Sequence, residues 1–202
     1  MDIEQAVCLF SATALQVGSI DELKSCDIIL IAAGVPEMKA ASRDDYLSGN
    51  IVIIRELAEK IRRWGTAPVI LSATNPVDIL NYELYRAAAL PPEKFIGFSS
   101  NDTLRFIWAA SKESGIPPSQ LDAIVIGEHG DGQVPIFGSL KSRQSGQRLS
   151  LSDSKKESIL NRVKAWFGDY QKLESGRSSG WTSGVGISRI IELILTDSND
   201  LC

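Results

Sequence analysis

The chain has 202 residues, 44% of them apolar and 23% charged, and its net charge of -4 comes from interspersed acids and bases. That composition belongs to a globular protein with length for one sizeable core or two small ones, and it excludes a disordered or fibrous chain. Without a basic tract, and with no apolar run near the ~18 residues of a membrane span, neither a nucleic-acid surface nor a membrane face is indicated, so small-molecule chemistry is expected.

Residues 27 to 33, "DIILIAA", form a continuous apolar run closed by Gly34, the pattern of a strand buried on both faces in a parallel sheet. From Asp44 to Arg63, Leu47, Ile51, Ile54, Leu57, Ala58 and Ile61 recur at three and four, which predicts a helix with one buried face. A second buried strand, "PVILSA", leads into "TNPVDILNYELYRAAA", where Asn75 is expected to cap a helix and Pro76 to occupy its first turn. "LPPEKFIGF" reads as a third short strand. Alternating strand and helix predict an α/β domain with a parallel sheet over 1–97, and such sheets bind ligands beyond the carboxyl ends of their strands.

After about Phe98 the pattern changes, and a second domain over 98–202 is expected. It comprises a helix from Asn101 to about Ser114, a buried strand from Leu121 to Ile126, antiparallel hairpins in "QVPIFGSLKSRQSGQRLSL", and helices over Asp153 to about Glu174 and Ser183 to Leu195. Cys8, Cys26 and Cys202 are odd in number and lack C-x-x-C spacing, which argues against a disulfide framework or structural zinc. The N-terminus has acids where a signal peptide needs bases. A reducing cytoplasm is the expected compartment.

The only histidine, His129, lies in "GEHGDG", where apolar sequence gives way to glycine-rich backbone that other groups can approach closely. A structural loop histidine fits that setting as well as a working one. Asp102 and Arg105, three apart near a predicted helix start, share one face, and taken alone they read as a local ion pair. Arg43 fits a solvated cation in the connection after the first strand, and Asn75 a helix cap. Glu128, His129 and Asp131 make no metal site, because adjacent residues on extended chain point different ways and no second histidine exists.

Taken together, "IAAGVP", "SRDDYLSGN", "ATNPVDIL", "NDTLRF", "GEHGD" and "GWTSGVGIS", in that order, resemble the lactate and malate dehydrogenase family over nearly the whole chain. The resemblance implies a partial Rossmann-type parallel sheet domain followed by an α+β substrate domain, and an NAD-dependent oxidoreductase acting on a small 2-hydroxy or 2-oxo acid. It implies His129 as general acid and base, with Asp102 fixing its tautomer. Arg105 resembles the substrate-carboxylate clamp and Arg43 the second arginine, carried on a closing loop. Asn75 would contact substrate and nicotinamide, Thr182 the substrate pocket wall, and Gly34, Asn50 and Thr74 the cofactor. A homo-dimer or homo-tetramer is the implied assembly.

Three features depart from the family pattern. No G-x-G-x-x-G occurs, and 26 residues precede "DIILIAAG", too few for the opening strands and phosphate-binding turn of a full dinucleotide domain. The chain ends at "LTDSNDLC", where the family continues, so a piece lacking both ends is expected. Glu37 stands where malate enzymes carry arginine and lactate enzymes commonly glutamine, which argues against a substrate with a distal carboxylate. The alternative expectation is a catalytically impaired dehydrogenase-like domain that serves as a non-enzymatic interaction surface.

Overall fold

A computed structural model of the chain describes residues 2–35, 43–174 and 180–198. The N-terminal helix α1 (Asp2–Cys8) buries no residue and is followed by extended chain and a 3-10 turn, Ile20–Ser25. Then β1 (Ile28–Ile31), α2 (Arg43–Trp64), β2 (Val69–Ser72), α3 (Val77–Ala88) and β3 (Phe95–Gly97) alternate. The strands form one parallel sheet in the order β1-β2-β3, with Ile28 opposite Val69 and Ile70 opposite Phe95.

Period two along each strand sends alternate side chains to opposite faces. Ile29, Ile31 and Ile70 pack with Ile54, Ala58 and Ile61 of α2 and Leu80, Leu84 and Ala88 of α3. The spacing at three and four on each helix supplies that shared buried stripe. Each aliphatic side chain fully withdrawn from water there stabilises the fold by about 1.5–3 kcal/mol. Leu71 belongs to a separate cluster with Phe98 and with Ile190 of the last helix.

The remainder is built on α4 (Ser100–Ser114), which opens one turn after β3. Phe106, Ile107, Ala109 and Ala110 of α4 pack with Leu121, Ala123, Leu140 and, from α5 (Asp153–Lys172), Ile159 and Val163. Between them run four short strands in two antiparallel pairs: β4 (Leu121–Asp122) with β7 (Lys141–Ser142), and β5 (Val125–Gly127) with β6 (Gln133–Pro135). The buried strand expected over Leu121–Ile126 is therefore divided. Leu121 is fully buried, but Ile126 is 54% exposed, because the second half pairs as a hairpin at the surface.

Helix α6 (Gly180–Leu195) begins three residues before the expected Ser183 and lies across the start of α4. Gly186 permits this approach: a Cβ there would sit 2.5 Å from Ser100 Oγ and 2.9 Å from the Phe98 ring. Asn101 Nδ2 donates to Ser183 Oγ at 2.9 Å, which ties the two helices beside the site described next. No described helix is long and apolar enough to cross a membrane.

Candidate active site

The site forms where α3, α4 and the β5–β6 hairpin meet. Glycine makes the hairpin tip possible. Gly127 has φ +92°, and a Cβ on it would lie 2.5 Å from the Gly132 carbonyl oxygen, so a side chain is excluded there. The tip thereby folds back sharply and carries His129 toward α4.

Asp102 is the hub. It sits in the first turn of α4, where the helix dipole favours a carboxylate, and it is 3% exposed. Its Oδ2 lies 2.7 Å from His129 Nδ1, and its Oδ1 accepts from Arg105 Nη1 at 3.1 Å. One buried carboxylate thus bridges the imidazole and the guanidinium, and all three side chains are largely out of water, at 4%, 17% and 16% exposure for Asp102, His129 and Arg105. The simple reading of Asp102–Arg105 as a local pair is incomplete, because a residue 27 positions away shares the same carboxylate.

Arg105 carries two further features. Trp166 of α5 lies over its guanidinium, 4.0 Å from Cζ to the ring centroid, and stacks in turn on Tyr170 at 5.3 Å. Burial pulls the Arg105 pKa below its usual range, opposed by the charge and hydrogen bond of Asp102. The buried Nε has no hydrogen-bond partner. With Nη1 given to Asp102, the edge formed by Nε and Nη2 is the one that a planar carboxylate could grip from the side.

The expected cofactor residues lie at the carboxyl ends of β1 and β2. Asn50 is buried on α2; its Oδ1 accepts from Val35 N at 2.7 Å and its Nδ2 donates to the Asn75 carbonyl at 2.8 Å. Thr74 Oγ1 donates to the Ala33 carbonyl at 2.7 Å. These side chains hold two strand-end loops together. Gly34 lies against them, since a Cβ there would meet Asn50 Oδ1 at 3.1 Å and Thr74 Cγ2 at 3.3 Å. Ala32, Ala33 and Gly34 remain exposed at this strand end, the place where parallel sheets offer a ligand surface. The sequence has no glycine fingerprint for the pyrophosphate.

Asn75 does not cap α3. Pro76 is the N-cap, after a cis Asn75–Pro76 bond, and no side chain caps the helix. Asn75 offers its backbone carbonyl to Asn50 while its side chain stays exposed at the strand end, which leaves the amide available to a ligand. Thr182 is half-buried on α6, next to the Ser183 that binds Asn101. Glu37 and the side chain of Arg43 lie outside the described residues, although Arg43 opens α2. Among the described residues, no group of three or more His, Cys, Asp or Glu could hold a metal ion.

Two contacts had no signal in the sequence. Trp166 reaches Arg105 from 61 positions away, and Asp78 of α3 accepts a hydrogen bond from the His129 main-chain N–H at 2.8 Å. Both join elements whose neighbourhood only the fold determines.

Comparison with known proteins bears on the fold. The family described as lactate/malate dehydrogenase, NAD binding domain, matches residues 1–97. A malate dehydrogenase of Haloferax volcanii is 29% identical over 99% of this chain and 65% of its own length. An L-lactate dehydrogenase of Halalkalibacterium halodurans is 30% identical over 94% of this chain and 61% of its own. The solved malate dehydrogenase of Aeropyrum pernix superposes with a TM-score of 0.88 at 26% identity, covering 98% of this chain and 65% of that one. Spanning 61–65% of these relatives, the chain matches the lactate/malate dehydrogenase NAD-binding domain over residues 1–97 and shares the fold of a solved malate dehydrogenase.

Proposed function

We propose that this chain handles the substrate in an NAD-dependent oxidoreductase that interconverts a small 2-hydroxy acid and its 2-oxo acid. The observation that carries the reading is Asp102 bridging His129 Nδ1 and Arg105 Nη1, with all three side chains largely out of water. With Nδ1–H held by the carboxylate, the opposite nitrogen, Nε2, is the one free to exchange a proton with the substrate oxygen. In the reducing direction Nε2–H passes its proton to the carbonyl oxygen as the C=O bond becomes C–OH. In the oxidising direction the neutral ring takes the hydroxyl proton back.

Arg105 supplies the anchor. A substrate carboxylate on the Nε and Nη2 edge would give the orphaned donor its acceptor, and a buried donor left unpaired costs about 1–3 kcal/mol. Trp166 covers one face of the guanidinium, so the carboxylate is gripped in the plane of the group. Asn75, exposed at the end of β2, would orient the substrate oxygen, and Thr182 would form part of the pocket wall. Arg43 would close over the bound acid from the start of α2. NAD, when bound, supplies or accepts the hydride at the substrate's C2. Gly34 and Asn75 would face its nicotinamide end, with Asn50 and Thr74 holding the loops that shape that surface.

NADH oxidation dependent on a 2-oxo acid tests the reading. His129→Asn should lower kcat by about 10²- to 10⁴-fold, the usual contribution of a positioned acid and base. Saturable turnover that survives the substitution would overturn it. A second reading, a non-enzymatic interaction domain, is favoured by the bare apolar side chains of Leu9, Phe10 and Val17, at 79%, 89% and 103% exposure. Calorimetry with NADH and a 2-oxo acid separates the two, because an interaction domain gives saturable heat with neither.

A further inference from the structure

His129 is held at two points by two carboxylates from two different helices. Asp102 of α4 holds the ring, and Asp78 of α3 holds the backbone. We propose that Asp78 is a positioning residue, a latch that fixes the height and rotation of the β5–β6 tip so that the imidazole meets Asp102 and the cleft together. The inference rests on the reading of His129 as the acid and base.

The latch follows from the placement of α3. That helix starts at Val77, immediately beyond the strand-end loop that carries Asn75, and Asp78 stands in its first turn. Its Oδ2 accepts from His129 N across a sequence separation of 51 residues. The β5–β6 hairpin is three residues long on each side, too short to fix its own tip against thermal motion. Its other described ties are the Val125 N–H to Thr103 Oγ1 bond at 3.2 Å and a turn closed by Gln133, whose side chain donates to the Gly130 carbonyl at 3.0 Å. The first acts on the hairpin's flank, and the second stays within the tip itself without anchoring it to another element. Asp78 acts on the residue that carries the ring, and it connects that residue to the sheet that carries Asn75.

A hydrogen bond from a main-chain N–H to an ionised carboxylate is stronger than one between neutral groups. Its loss would leave the Asp102–His129 bond to hold the tip alone. An amide acceptor preserves the latch geometry, whereas a methyl group removes it. Asp78→Asn and Asp78→Ala are therefore expected to differ.

Amide hydrogen exchange followed by NMR on the whole chain tests the latch without requiring turnover. In Asp78→Ala the His129 amide should exchange at least about tenfold faster, while amides of Leu84 in α3 and Ile70 in β2 stay within about twofold of wild type. Asp78→Asn should stay close to wild type. Because His129 is the only histidine, its single ring Cε1–H resonance reports position directly and should shift or broaden in Asp78→Ala alone. An unchanged His129 amide in Asp78→Ala, or faster exchange spread evenly through α3 and β2, would overturn the latch, the latter by showing a role in helix stability only. Failure of the functional reading shows itself separately, as turnover indifferent to His129→Asn.

Discussion

The parallel-sheet region and the region built on α4 use their polar residues in opposite ways. At the ends of β1 and β2, Asn50 and Thr74 direct their side chains inward, to Val35, Asn75 and Ala33, and leave backbone exposed at the strand ends. Around α4, Asp102 gathers the His129 imidazole and the Arg105 guanidinium, and Arg105 Nε stays buried without an acceptor. The first region shapes a surface, and the second concentrates charge and unsatisfied hydrogen-bonding capacity. A polar residue in a ligand cleft thus has two distinct occupations, and sequence alone does not separate them.

Paired substitutions sharpen this contrast. The largest effect belongs to Asp102→Ala, which strands the buried Arg105 guanidinium and releases the His129 ring. Removing one partner of a buried pair typically costs about 3–5 kcal/mol, so a fall of that order in urea-unfolding free energy is expected, with turnover lost. Asn50→Ala should cost less, about 1–3 kcal/mol, by breaking two loop bonds, and should leave the His129 ring as in wild type. Equal costs, or a disturbed imidazole in both variants, would erase the distinction between the regions.

A smaller effect concerns pH. Glu113 at the end of α4 has its pKa held below the usual glutamate range, first by the hydrogen bond from Ser158 Oγ at 2.8 Å and then by Arg162 at 3.4 Å, both on α5. A depressed folded-state pKa gives stability that is present above the unfolded value and is lost as pH falls through the folded one. Glu113→Gln should therefore be less stable than wild type at neutral pH, with the difference shrinking as the solution is acidified below the ordinary glutamate range. Urea midpoints at several pH values measure this, and a difference that does not change with pH would contradict the assignment.

Much of the fold was legible because its elements repeat strong local patterns. The apolar run before Gly34 and the stripe at three and four between Asp44 and Arg63 became β1 and α2, although β1 is buried on one face only, with Leu30 43% exposed on the other. Pattern failed where pairing decided the outcome. The run from Leu121 to Ile126 is uniformly apolar after Asp122, yet only its first part enters the core, because the hairpin partner Val134 draws Ile126 to the surface. Asn75 fits a cap by residue type, but the chain geometry at Pro76 gives that place to the proline.

The same division runs through the site. Asp102, Arg105 and His129 stood out because family motifs flank each of them, and the fold brings them together. Trp166 and Asp78 carry no motif of their own kind: a tryptophan on a charged helix and an acid in a helix's first turn are ordinary in isolation. Their contacts depend on how α5 and α3 are set against α4 and the hairpin, which is a matter of tertiary packing.

The imidazole tautomer tests the central claim most directly, and the single histidine makes its assignment unambiguous. Long-range ¹H–¹⁵N correlation of His129 in its neutral form should show the proton on Nδ1, facing Asp102, with Nε2 bare, and Asp102→Leu should move the proton to Nε2. A wild-type ring already protonated at Nε2, unaffected by Asp102→Leu, would contradict the account.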